Sequence, residues 1–198
     1  MAESLPGGAA TGGVVEIVGI AGSLRRGSVN RMLLAAGGAL LPAGAVLEIV
    51  EIGDLPHFDQ DLEGNVPEVV RRFRQRLHAA EALWVATPEY NASLPGVLKN
   101  AIDWASRPPR QAALHHQPLA IMGASGGGFG TIRAQLHLRE ILVRHVELVL
   151  DPEVMISRGH EKFDAAGQPT DEGLRAALQA QGAALVRRVL ARREGSAA

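Results

Sequence analysis

The chain has 198 residues, 46% of them apolar and 21% charged, which is enough for one well-covered core and predicts one domain. Its 20 basic and 21 acidic residues are mixed along the sequence and leave a net charge of −1, so nothing steers it toward nucleic acid or anionic lipid. With no cysteine, disulfides, thiolate nucleophiles, Cys-ligated zinc and iron–sulfur clusters are excluded, and any redox chemistry belongs to a bound organic cofactor.

The segment Met1–Gly13 carries Glu3, Pro6 and four glycines, without the basic start or apolar run of a signal peptide. It reads as a disordered leader to a single domain over 14–194, with 195–198 as a tail. No apolar stretch approaches the roughly 20 residues of a membrane helix, which predicts a soluble, cytoplasmic protein.

Val14–Ala21 is a short β-branched run ended by Gly22, as in a central parallel strand buried on both faces. Asn30–Leu41 reads as a helix and Val46–Ile52 as the next strand. Val66, Val69, Val70, Phe73 and Leu77 then follow at helical spacing. Ala82–Thr87 is a third strand stopped by Pro88, and Pro95 is placed in the first turn of a helix from Ser93 to Ser106. Leu119–Ala124 is a fourth strand, Phe129–His145 a helix, Glu147–Leu150 or slightly beyond a fifth strand, and Leu174 to Val189 the core of a last helix.

Five alternations of strand and helix predict an α/β doubly wound parallel sheet with helices on both faces, and five strands suit the flavodoxin-like order 2-1-3-4-5. Ligands of such sheets lie beyond the carboxyl ends of the strands, where the winding reverses. The loops to inspect therefore follow the first, third and fourth strands.

The first loop, Gly22–Asn30, offers hydroxyls at Ser23 and Ser28, an amide at Asn30, the guanidiniums of Arg25 and Arg26, and the free amides of a helix start. That set accommodates a phosphate, and it matches neither GxxxxGK[ST] nor GxGxxG. Plain helix capping by Ser28 or Asn30 is the simpler alternative. The second loop, Thr87–Pro95, sets Tyr90 and Asn91 between two prolines. It reads either as a rigid wall for a flat heterocycle or as a tight turn in which Asn91 or Ser93 caps the next helix. The third, Gly123–Thr131, is glycine-rich and brings backbone amides close to a ligand.

Together, GSLRRGSVN, TPEYNASLPGVLKNAIDWASRP and GASGGGFGTIRAQLHLR resemble the NAD(P)H-dependent FMN reductases, a family that includes quinone, chromate and azo-dye reductases. The resemblance spans Val14 to Leu150. It implies a flavodoxin-like fold, noncovalent FMN, and NADPH or NADH as electron donor. Ser23, Arg25, Ser28 and Asn30 would hold the FMN phosphate. Pro88, Glu89, Tyr90 and Asn91 would line the isoalloxazine, and Ser125, Gly126 and Gly127 would contact its pyrimidine side. The implied reaction is ping-pong, with hydride passing to flavin N5 and two electrons then leaving to a quinone or another small acceptor such as free flavin, chromate or an azo compound. No side-chain acid, base or nucleophile is assigned, and a homodimer or homotetramer is expected. Two rivals remain, a flavodoxin-type single-electron carrier and a flavin-binding regulatory protein with little turnover.

The seven histidines are scattered and none shows metal-ligand spacing; His115-His116 reads as a solvated loop. His57–Asp61 reads as a loop above the cleft. Lys99, Asn100, Asp103 and Trp104 read as helix packing or a subunit contact, and Arg133–Arg139 as helix surface that joins a subunit interface.

Overall fold

Five parallel strands form one sheet in the order β2-β1-β3-β4-β5, with the carboxyl ends of all strands at one edge. The computed structural model describes residues 13–196, so the leader expected over 1–13 lies outside the described residues but for Gly13. In chain order the elements are β1 (Val15–Ala21), α1 (Val29–Ala39), β2 (Ala45–Val50), α2 (Glu68–Ala79), β3 (Ala82–Ala86), α3 (Gly96–Ala105), β4 (Pro118–Ala124), α4 (Ile132–Leu142), β5 (Glu147–Ile156) and α5 (Glu172–Ser196). No helix among the described residues is long and apolar enough to cross a membrane.

Period-2 alternation in the central strands feeds two cores. Val18 and Ile20 of β1, Leu83 and Val85 of β3, and Leu119 and Ile121 of β4 face α2, α3 and α4. Their neighbours Ile17, Trp84 and Met122 face α1 and α5. Because both faces are covered, β3 and β4 carry no charged residue and β1 only Glu16 near its start, so the strands do not alternate in polarity. The Trp84 indole is the largest fully buried group of the second core, and α1 and α5 reach it only because Gly37 and Gly182 lack side chains. A Cβ at Gly37 would come within 2.6 Å of the ring.

The elements differ from the sequence expectation at their ends. Pro95 stands at the N-cap of α3 and not in its first turn, because the preceding residues are held in a hairpin-like turn. Helix α4 starts at Ile132, three residues later than Phe129, since Gly130 and Thr131 take left-handed φ values of 56° and 69°. It also ends at Leu142, before His145. Strand β5 runs well past Leu150. Its pairing with β4 jumps from Ala120↔Val149 to Met122↔Val154, so Leu150 to Glu153 stand opposite Ile121 alone. This bulge is how Pro152, which lacks a ladder donor, is carried inside a strand. Helix α5 continues through Ser196, past the domain end expected at 194.

Gln181 of α5 closes the bulge. Its Nε2 donates to the carbonyls of Ile121 (3.1 Å) and Pro152 (2.8 Å), and its Oε1 accepts from the Trp84 indole (2.7 Å). A single buried amide thereby satisfies an irregular strand pair and the indole N–H.

Candidate active site

The loops after β1, β3 and β4 converge on one cleft of about 380 Å³ at the carboxyl edge of the sheet. Its walls include Ser23, Arg25, Ser28 and Asn30 from the first loop, Pro88, Glu89 and Tyr90 from the second, and Ser125 and Gly126 from the third. Asn91 and Gly127, also expected at the site, lie outside the lining. A volume of this size falls within the roughly 300–1,000 Å³ of small-molecule sites.

At one end α1 begins. Ser28 is its N-cap, the Oγ accepting from the Arg31 amide at 3.3 Å, so the capping role is real. The amides of Val29 and Asn30 take no backbone acceptor and are left for a ligand, at the end of the helix where partial positive charge collects. Arg25 is exposed on the cleft wall and pairs with no carboxylate among the described residues. Ser23 is buried, its Oγ 3.4 Å from the Tyr90 hydroxyl and 3.4 Å from the Arg25 amide.

Asn30 requires a correction. Its side chain serves the fold first: Nδ2 donates to the Ala124 carbonyl at 2.9 Å and Oδ1 accepts from the Ala124 amide at 2.8 Å, which leaves one Nδ2 hydrogen. Both atoms of the amide help clamp the start of α1 to the end of β4, because Ala124 lies where β4 leaves the sheet. What Asn30 offers to the cleft is its backbone amide.

Glu89 lines the cleft, and its carboxylate serves a neighbouring helix. Its carboxylate turns away to α4, accepting from the Arg133 amide (3.0 Å), the Arg133 Nε (2.7 Å) and the Ala134 amide (3.4 Å). The N-cap residue Thr131 makes no capping bond of its own, so Glu89 caps α4 from across the chain. Burial pushes this carboxyl up, but the Arg133 side chain and the two amides outweigh it and hold it below the usual carboxylate range.

Asn91 takes a φ of 48° and Ala92 one of 61°, while Tyr90 and Ser93 exchange backbone hydrogen bonds of 2.9 and 3.0 Å. The tight-turn reading is thus the local geometry, with Asn91 at the exposed tip, and neither Asn91 nor Ser93 caps α3. Tyr90 stands 46% exposed at the cleft mouth. In the third loop the Gly126 and Gly127 amides have no backbone acceptor, whereas the Gly127 carbonyl is used by Arg158 N and Ser125 Oγ. Gly123 is obligatory, since a Cβ there would meet Thr131 Oγ1 at 1.9 Å and the Thr87 carbonyl at 2.5 Å.

One lining residue escaped the sequence reading. His160 enters the cleft from a 3-10 turn at Gly159–Lys162, where Gly159 packs against Ala124 and Val29. The apolar spacing used to find the main elements carries no signal for such a turn. None of His57–Asp61 lines the cleft; that loop is held by Asn100, which bonds Phe58 N (2.7 Å) and the Pro56 carbonyl (2.9 Å), and by Trp104 Nε1 on the same carbonyl (2.8 Å).

The sequence profile of NADPH-dependent FMN reductases matches residues 15–161, which takes in all three loops. The chain belongs to this family. Within the FMN reductase family it is 48% identical over 169 residues to an NAD(P)H-dependent FMN reductase of Pseudomonas aeruginosa, covering 84% of this chain and 91% of that one. It is 43% identical over 167 residues to a 2-hydroxy-1,4-benzoquinone reductase of a Burkholderia species, covering 83% and 91%. The fold superimposes on FerB, a flavoenzyme NAD(P)H:(acceptor) oxidoreductase of Paracoccus denitrificans, with a TM-score of 0.83, 36% identity, and 90% and 98% coverage. As an FMN reductase family member the protein is an oxidoreductase whose cofactors are FMN and a nicotinamide nucleotide.

Proposed function

We propose that the cleft seats FMN with its phosphate at the start of α1 and its ring along the backbone of Pro88–Tyr90 and Ser125–Gly127, and that the enzyme reduces quinones with NADPH or NADH. The observation that carries the reading is the meeting, in one cleft, of an unpaired guanidinium, two free helix-start amides and the unpartnered Gly126 amide. FMN bound there supplies two-electron chemistry between nicotinamide and acceptor.

The chain's own residues bind and orient. Arg25, the Val29 and Asn30 amides and the Ser23 and Ser28 hydroxyls face the phosphate, where charge-assisted bonds are strongest. Pro88 fixes the backbone against the ring, and the Gly126 and Gly127 amides meet the pyrimidine edge, favouring negative charge there. Tyr90 and Asn91 stand at the open side, where nicotinamide and acceptor take turns. Double-reciprocal plots are therefore expected to give parallel lines, and intersecting lines would overturn the ping-pong order.

Similarity to a benzoquinone reductase supports quinones as first acceptors. Free flavin, chromate and azo compounds rank behind them. We read 14–194 as one domain working in the cytoplasm, where the nicotinamide donors are kept reduced. We also read the molecule as a homodimer or homotetramer whose copies meet on α4, where Phe129, Ile132, Leu136 and Val143 are exposed.

Adding NADPH without oxygen to the purified flavoprotein is expected to bleach its absorbance, and a quinone to restore it. Bound flavin that NADPH leaves unchanged would favour the electron carrier, and protein that takes up no FMN would overturn the proposal.

A further inference from the structure

A second recess, larger than the flavin cleft, lies elsewhere in the protein. A cavity of about 730 Å³ lies between the C-terminal half of α2 and the segment 109–116 that leads into β4. It sits at the amino end of β4, whereas the cleft sits at its carboxyl end. Seven residues at about 3.3 Å each separate the two by roughly 20 Å.

Its lining is one-sided in charge. Arg71, Arg74, Arg110, His78 and His115 contribute to it, and no carboxylate does. Arg71 is neutralised by Glu68. Arg74 donates only to the Gln111 carbonyl, and Arg110 pairs with no carboxylate among the described residues. Arg74 Nε is buried without a hydrogen-bond partner, and burial draws the guanidinium below its ordinary pKa, with Glu63 pulling the other way. Two unmatched guanidiniums in one recess call for a dianion, and a phosphomonoester carries close to that charge at neutral pH.

The rest of the lining mixes Gln75, Gln111 and His116 with apolar side chains and an imidazole pair. Pro109, Ala112 and Leu114 supply the apolar part, and the His115 ring stands edge-on to His78 with centroids 4.8 Å apart, anchored by a 3.0 Å bond to the His78 carbonyl. Inorganic phosphate would leave that wall bare.

We propose that this recess is a second ligand site, one that binds a phosphomonoester with a flat organic body, such as a nucleoside monophosphate, through Arg74 and Arg110. The site is separate from the redox cleft and needs no turnover. Its occupant neutralises the guanidiniums and lays its ring along the His78–His115 wall.

Calorimetric titration of the protein saturated with FMN, using AMP, adenosine and inorganic phosphate, tests this. AMP is expected to bind, adenosine and phosphate to bind at least about tenfold more weakly, and Arg110→Ala to weaken AMP by about tenfold, as loss of a charge-assisted bond does. Arg110 is exposed, so this variant is expected to fold and to keep its flavin spectrum. No AMP binding at millimolar concentration, or AMP binding that Arg110→Ala and Arg74→Gln both leave intact, would overturn the site. Adenosine binding as tightly as AMP would remove the phosphate from the argument, and AMP lost on adding more FMN would place it in the flavin cleft instead.

Discussion

Arg25 and Asn30 sit five residues apart in one loop and their substitutions should separate cleanly. Arg25 is exposed and holds nothing else in the chain, so Arg25→Ala is expected to weaken FMN by about 1.5–3 kcal/mol, roughly ten- to a hundredfold, with the denaturant midpoint unchanged. Asn30 satisfies both backbone groups of buried Ala124, so Asn30→Ala should cost about 1–3 kcal/mol of folding stability in urea unfolding as well as FMN affinity. Unchanged stability would show that water replaces the clamp. Glu89 offers a pH test. Its folded-state pKa lies below the ordinary 4.5, so its stabilising contribution is complete above that value and is lost as pH falls through the depressed one. Glu89→Gln should lower the unfolding midpoint at neutral pH by the equivalent of about 1 kcal/mol, as loss of a helix cap does, and the gap from the parent should narrow on acidification below pH 4.5. The sequence made these residues visible as a polar set but not their partners. An asparagine or glutamate reads the same whether its side chain faces a ligand or a helix end in contact only through the fold.

At the level of elements, β1, β3 and β4 were legible because burial on both faces writes itself as a nearly continuous apolar run, broken in β1 only by the exposed Glu16. Helix α2 was legible because it is amphipathic. Strand β5 was cut short because Pro152 and Glu153 argue against a strand, and the residue that rescues them, Gln181, lies on another element. Gln181→Leu is therefore expected to destabilise the protein by at least about 2 kcal/mol, since it strands the Trp84 N–H and two carbonyls together, and thermal unfolding would measure it. A shift of a degree or less would show that the bulge finds other donors. The late start of α4 was hidden for a related reason: its left-handed entry at Gly130–Thr131 is set by packing against β5, where a Cβ on Gly130 would fall 2.8 Å from the Met155 backbone.

For the whole molecule, doubly wound topology gathers three loops that lie far apart in sequence and gives each a face toward the same cleft. Ile132 and Leu136 of α4 are exposed, with Phe129 before it and Val143 after it, and on the proposed subunit contact Leu136→Glu should shift the protein to a smaller species in light scattering behind gel filtration. An unchanged mass would overturn α4 as the contact between copies. The sheet order was readable from the count and alternation of elements, whereas the surfaces were not, since exposure depends on which helix face the fold leaves uncovered. The clamp between Asn30 and Ala124 has a mechanical consequence. It joins the start of α1 to the end of β4 through the protein's own hydrogen bonds, so on the proposed seating the socket is cut to width by the protein itself and a cofactor would leave and return without refolding its seat. Amide exchange at Ala124 should accordingly be as slow in flavin-stripped protein as in loaded protein.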